Sequence, residues 1–370
     1  MALSSLQLTD FRNIGAAQLD FSAGWNLLVG PNGAGKTSVL EAIYLLAHGR
    51  SFRTGRPHKA IRHLQPHFTL FARVDWSMQQ IALGMQRDRL GEWQVRLNGE
   101  SVQRLADCAA VLPVQLLQPE SFRLFFGGPK ERRQFFDLGL FHVEPGFYDV
   151  WLAFQRVLRQ RNALLKNRQP YSEQYLYWDQ QLVAYAVQLQ HLRANYASLL
   201  AEAIRLLVAD FAPLQALQVE LYAGWSCRDG TAAELLTQLQ QSFQQDLKFG
   251  YTQYGPQKAD LRLKVVGEAV DEVLSRGQLK VLLFALKVAQ SNLILQRGHK
   301  QPLLLIDDLA SELDEESKRQ VFHYLEKLQS QVFITAIEPD QLLSQLPVQS
   351  VAMFHVEHGQ IKRTDNDGRR

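Results

Sequence analysis

Apolar and polar residues alternate through 3–8 and again through 17–21, the period of half-exposed strands, and 25–29 is a short apolar run of buried-strand length. A glycine-rich turn at 30–35 follows, and 36–48 has helical spacing, with Val39, Leu40, Ile43 and Leu46 on one face. Alternation returns in 68–76, 80–85 and 93–97, and Asn98-Gly99 is a tight-turn signal leading into a further strand, which predicts an antiparallel sheet beside the glycine turn. From 147 to 211 the period is helical, broken at Gln169-Pro170 into two long helices, and the helical stretch resumes over 232–248. Strand 259–265 and an amphipathic helix at 278–295 come next, then strands at 303–306, 332–334 and 351–356 with helices between them. The pattern predicts an α/β fold whose head is built from both chain ends, with an inserted helical arm: residues 1–130 and 251–370 in the head, 131–250 in the arm. There is no internal repeat or low-complexity linker, and the polar stretch 364–370 reads as a frayed end.

Composition narrows the class without choosing a function. With 370 residues, 46% hydrophobic and 21% charged, the chain has material for two or three domains. Its formal net charge of +3 permits a nucleic-acid partner only if the positive charge is clustered. Cys108 and Cys227 are far apart and outside any CxxC spacing, which points away from disulfides and zinc and toward a reducing cytoplasm. Residues 1–20 lack a basic segment followed by an apolar run, and no stretch reaches the roughly 18 uninterrupted apolar residues of a membrane span. The expectation is a cytoplasmic protein with no membrane partner.

The chemistry concentrates in three motifs. Gly30-Pro31-Asn32-Gly33-Ala34-Gly35-Lys36-Thr37, followed by Ser38, fits the P-loop pattern between a buried strand and a helix. Glycines let backbone N–H groups curl around phosphate oxygens at a helix N-terminus, Lys36 can neutralise the β- and γ-phosphates of ATP, and the Thr37 hydroxyl can hold Mg2+. Leu303-Leu304-Leu305-Ile306-Asp307-Asp308 is an apolar strand ending in two carboxylates, a Walker B pattern. Lying beside the P-loop strand, Asp307 would bind the Mg2+ shell and Asp308 would orient or deprotonate the attacking water. Leu274-Ser275-Arg276-Gly277-Gln278 opens a long helix and is similar to the ABC signature, with Arg276 where a glycine is usual. A serine hydroxyl and amides at a helix start form a second phosphate clamp. Ser311-Glu312-Leu313-Asp314 follows in the order of a D-loop, which places Asp314 near the nucleotide and defines an ABC-type P-loop ATPase head.

The chain resembles the RecF family along essentially its whole length. The stretches that carry the likeness are Leu8-Thr9-Asp10-Phe11-Arg12-Asn13, the P-loop, Arg50-Ser51-Phe52-Arg53-Thr54, Gln118-Pro119-Glu120, Gly128-Pro129-Lys130-Glu131-Arg132-Arg133, Gly255-Pro256, the signature, and 307–314. The resemblance implies an SMC-like head with a short helical arm and ATP-dependent homodimerisation. It also implies binding to gapped or junction DNA, and work with RecR and RecO in loading RecA. Aspartate at 308, where most ABC proteins have glutamate, suits slow hydrolysis. Gln118 is the Q-loop candidate, sensing Mg2+ and γ-phosphate, or an ordinary polar residue after a strand. Thr335 stands where a switch histidine is usual, and Arg12 either packs its planar guanidinium on adenine or lies at the surface.

Basic residues run through Arg50, Arg53, Arg56, Lys59 and Arg62, through Lys130, Arg132 and Arg133, and through Arg156, Arg159, Arg161, Lys166 and Arg168. A duplex footprint needs such charge on one surface, although each run alone reads as a solvated face. No helix-turn-helix, zinc-finger or RRM pattern is present, so base-specific reading is not expected. Two alternatives share the ATPase motifs: a transporter's ATPase subunit, and an SMC-like tether or OLD-type nuclease. The long helical insertion and the early strand pair disfavour the first. A short arm without a CxxC hook, and the lack of an acidic module after the last strand, disfavour the second.

Overall fold

The computed structural model describes residues 1–76, 79–226, 231–307, 315–328, 330–338 and 351–364. They form two compact units, one of residues 1–121 and 294–370 and the other of 122–293. The second unit therefore begins before the 131–250 arm read from periodicity and takes in the following strand and most of the signature helix.

Two six-stranded sheets build the first unit. One is antiparallel, in the order Ile14–Asp20, Ala2–Phe11, His67–Trp76, Gln79–Asp88, Trp93–Leu97, Glu100–Ser101. A bulge between Leu3 and Ser5 shifts the alternation by one residue, which is why Leu3, Leu6 and Leu8 all face the core. The other sheet runs Gln360–Thr364, Val351–Glu357, Trp25–Val29, Gln331–Ala336, Leu303–Ile306, Val114–Leu117, parallel except for the hairpin at its 351–364 edge. Its central strands are buried end to end, as sheets covered on both faces require.

The helix Lys36–His48 is buried on almost every side. It sits in one continuous apolar core with Leu6, Phe11 and Phe68 of the antiparallel sheet and Leu28, Leu305 and Phe333 of the parallel one. Phe11 and Phe68 meet edge to face at 5.2 Å between centroids. Cys108 lies in this core, where burial pushes its thiol up to about 11 and keeps it protonated.

In the second unit the helices Phe147–Lys166 and Glu173–Leu207 pair across the loop 167–172, at the break predicted from Gln169-Pro170. Residues 232–248 divide at Ser242 into Ala232–Gln241 and Phe243–Phe249. A three-stranded antiparallel sheet adds Leu217–Tyr222, which periodicity did not separate, to Asp260–Val265 and Glu268–Ala269. Among the described residues one helix, Arg276–Gly298, is long and apolar enough to cross a membrane; 72% of its apolar window is buried inside the protein, as in a core helix.

Several cations read as surface charge are tied down here. Arg161 is fully buried between Asp179 and Asp246. Arg132 chelates Asp260 at 2.7 and 3.0 Å, and Arg133 donates to the Ala259 carbonyl. Arg161 has no exposed charge to offer a DNA phosphate, a correction to the sequence reading, whereas Arg156, Arg159, Lys166 and Arg168 are exposed.

Candidate nucleotide site

Open parallel sheets bind ligands beyond the carboxyl ends of their strands. Val29, Ala336 and Ile306 end neighbouring strands on one edge, where a cleft of about 640 Å³ opens, lined by the P-loop from Asn32 to Ser38 together with Arg12, Phe52, Arg53, Gln118 and Asp307. The loop is held in a fixed curl. The Gly30 amide donates to the Ala336 carbonyl, the Gly359 amide to Ala34 O, and Asn13 Nδ2 to Ala34 O at 2.9 Å. Ser38 Oγ returns a bond to Asn13 Oδ1 at 3.1 Å, so the two-residue hairpin loop Arg12-Asn13 braces the P-loop from the antiparallel sheet. A Cβ on Gly30 would lie 2.0 Å from the Val356 carbonyl oxygen, which admits only glycine there. No side chain caps the helix Lys36–His48, leaving its positive end to the cleft. Lys36 Nζ folds over the curl, donating to Gly30 O at 2.6 Å and Pro31 O at 3.0 Å.

At Asp307 the end of the strand Leu303–Ile306 meets the P-loop helix and the strand Gln331–Ala336. Its Oδ1 accepts from Thr37 Oγ1 at 3.0 Å and from Thr335 Oγ1 at 2.8 Å. The Walker B strand does not lie beside the P-loop strand: Gln331–Ala336 runs between them, and its buried Thr335 bridges the gap. Thr335 thus holds the carboxylate, a role distinct from the γ-phosphate contact of a switch histidine. A carboxylate and a hydroxyl side by side at the lip of an amide-lined curl suit Mg2+ bound to a phosphate, since that ion takes few protein oxygens. Asp308, the 311–314 segment with Asp314, and Cys227 lie outside the described residues.

Sequence reasoning missed Glu41, which is buried without any exposure on the inner face of the P-loop helix. It accepts Arg12 bidentately, with Nε at 2.8 Å, and also Ser51 Oγ and Arg53 Nη1, the last at 3.4 Å. A buried carboxylate must be paired in this way, and the bidentate pairing fixes where Arg12 stands. Arg12, 17% exposed, also donates to Lys59 O and lines the cleft, while Arg53, 44% exposed, is held by one long contact. Arg53 and Lys59, read as DNA candidates, line the nucleotide cleft; Arg62 pairs with Asp10 at 3.6 Å. The signal was present as one acidic residue inside the otherwise apolar run 39–47.

The signature lies in the second unit. Gln278 N donates to Ser275 Oγ at 3.2 Å and Ser275 N to Gln278 Oε1 at 2.8 Å, a reciprocal capping box that opens the helix Arg276–Gly298. Ser275 and Arg276 are exposed, and Gly277 is half-buried. The Gln118 amide bonds Ser121 Oγ, while Gln118 itself reaches the cleft lining, compatible with the Q-loop assignment.

A P-loop curl, a Walker B carboxylate on a strand two places away, and a capped signature helix define an SMC-type ATPase head. The family model for the RecF/RecN/SMC N terminal domain matches residues 2–362. The DNA replication and repair protein RecF of Shewanella loihica is 43% identical over 361 residues, covering 98% of this chain and 99% of that protein, and RecF of Aliivibrio salmonicida is 43% identical over 362 with the same coverage. Among solved structures, the recombination mediator protein RecF-ATP in the RecFOR pathway matches with a TM-score of 0.86 at 24% identity over 98% of both chains. An Smc head bound to the C-winged helix domain of ScpA matches with a TM-score of 0.58 at 13% identity, over 99% of this chain and 98% of that one. The chain belongs to the RecF family of DNA replication and repair proteins.

Proposed function

We propose that the protein is a slow, DNA-dependent ATPase of recombinational repair and replication restart, acting in the cytoplasm as an ATP-controlled clamp on gapped or junction DNA. The observation that carries this reading is the Thr37–Asp307–Thr335 cluster at the mouth of the P-loop, 270 residues of chain being spanned to bring Thr37 and Asp307 together. Residues 30–38 hold the triphosphate of ATP, with Lys36 neutralising its terminal phosphates and Arg12 offering a flat cation to the adenine. Thr37, Asp307 and Gln118 hold Mg2+, whose chemistry there is to offset phosphate charge. Asp308 serves as the base or water-orienting group, and its short side chain fits slow turnover.

Ser275, Arg276, Gly277 and Gln278 of one copy, with Asp314, close on the triphosphate held by a second copy. ATP then joins two copies and hydrolysis releases them. RecF relatives named for replication and repair support DNA as the partner, and the RecFOR pathway supports joint action with RecR and RecO in loading RecA.

Sedimentation velocity tests the closure. With Mg2+ and ATP the protein is expected to move as two copies and without ATP as one. A Ser275→Arg variant is expected to bind ATP like its parent yet stay single, because bulk and charge enter the shared face. Pairing by the variant equal to its parent's would refute this role for Ser275.

A further inference from the structure

The helix Phe243–Phe249 ends at Gly250, whose φ of 73° is left-handed and whose amide closes on Asp246 O at 2.8 Å. That turn sends Phe249 and Tyr251 outward: they are 51% and 42% exposed, with ring centroids 6.1 Å apart. Other rings of this unit are exposed singly, Phe126 at 61% and Tyr222 at 36%, whereas Phe136 and Phe154 are fully buried. The turn is anchored from beneath, since Thr252 N and Oγ1 both donate to Asn162 Oδ1 and Gln253 N donates to Asp246 Oδ1 at 2.9 Å. Three lysines belong to the turn or adjoin it. Lys258 Nζ lies over one face of the Tyr251 ring, 4.9 Å from its centroid, Lys248 precedes Phe249 and is exposed, and Lys166 Cγ lies 3.8 Å from where a Cβ on Gly250 would stand. Among the described residues none of these lysines is in an ion pair, and Asp246, the carboxylate of the same turn, is buried on Arg161.

We propose that Phe249, Tyr251, Lys166, Lys248 and Lys258 form a stacking platform for unpaired nucleotides of a single DNA strand. The inference rests on the DNA-binding reading and goes beyond it by naming a surface and a strand state. Exposed rings give every base a π-face to stack on, while neighbouring ammonium groups neutralise the phosphates between bases. Duplex bases are already stacked on one another and offer no such face. An acidic polypeptide would satisfy the lysines and leave the rings in water. Because the turn is fixed by its own hydrogen bonds, little ordering cost falls on binding.

The test uses the full chain and its Phe249→Ala/Tyr251→Ala variant, with anisotropy measured on fluorescent oligothymidylate, an abasic oligomer of the same length, and a blunt duplex. Both rings are half-exposed, so the variant is expected to keep its ATP affinity. It is expected to lose roughly 10- to 100-fold in affinity for oligothymidylate, to keep duplex affinity, and to bind abasic and thymidine oligomers alike. In the parent protein a 5-iodouracil oligomer is expected to photocrosslink at Phe249 or Tyr251. Undiminished oligothymidylate binding by the variant, or parent affinity equal for abasic and thymidine oligomers, overturns the platform; so does ring-dependent binding of polyglutamate, which identifies an acidic protein surface instead. Parent protein that binds the duplex but not oligothymidylate sinks the platform alone, whereas binding to neither sinks the DNA-binding reading with it.

Discussion

An Arg161→Met variant is expected to lose about 3–5 kcal/mol of stability, because it strands two carboxylates that the native unit buries completely. Arg161 Nε donates to Asp179 Oδ1 at 2.6 Å, and Nη1 to Asp246 Oδ2 at 2.7 Å and Thr252 Oγ1 at 2.8 Å. One guanidinium thus ties the helices Phe147–Lys166, Glu173–Leu207 and Phe243–Phe249 together. Methionine fills much of the volume but supplies neither charge nor donors. The loss carries a pH signature. Burial raises the Asp246 carboxyl and Arg161 pulls it down, so removing Arg161 lifts its folded-state value further above the ordinary 3.8. A group raised on folding contributes stability that is present below its unfolded pKa and lost as pH climbs through the folded one. The deficit is therefore expected to shrink on acidification toward pH 3.8 and to be full at neutrality. Urea unfolding with hydrogen exchange read on the two long helices checks both points, and parent-like protection at neutral pH would refute the role of Arg161.

Replacing Lys36 by alanine is expected to lower kcat/KM for ATP hydrolysis by about 100- to 1,000-fold, the usual cost of removing one aimed donor from developing phosphate charge. Lys36 is buried, and its ammonium rests on the Gly30 and Pro31 carbonyls, poised over the curl. Its substitution removes the cation and its bonds to the Gly30 and Pro31 carbonyls but leaves the braces from Asn13, Ala336 and Gly359 in place, so the loop keeps its curl. Steady-state phosphate release reduced by that factor, with thermal unfolding that stays cooperative, is the expected pair of results. Turnover within a few-fold of the parent would remove Lys36 from the chemistry.

The fold was legible wherever a side-chain period reports local geometry. Residues 36–48 and 303–306 announced themselves as helix and buried strand, and Gln169-Pro170 marked the break between the long helices. The P-loop was readable because its function depends on residue types at fixed spacing along one stretch of chain. What stayed hidden were pairings set by topology. Thr335 lies near Asp307 only because Gln331–Ala336 inserts between the two motif strands, and alternation says nothing about strand order. Glu41 looked like one polar residue in a helix until Arg12, Ser51 and Arg53 were seen to converge on it. Arg161 misled for the opposite reason. Beside Arg156 and Arg159 it reads as solvated charge, and only the partners at 179 and 246, far along the chain, show that it is buried.

Calorimetric titration of the purified protein with ATP, once with Mg2+ and once with a chelator, tests the nucleotide site most directly. Saturable binding that weakens sharply when the metal is withdrawn is the expected result. An absence of binding with Mg2+ present would contradict the assignment of the cleft and every role given to Lys36, Thr37 and Asp307.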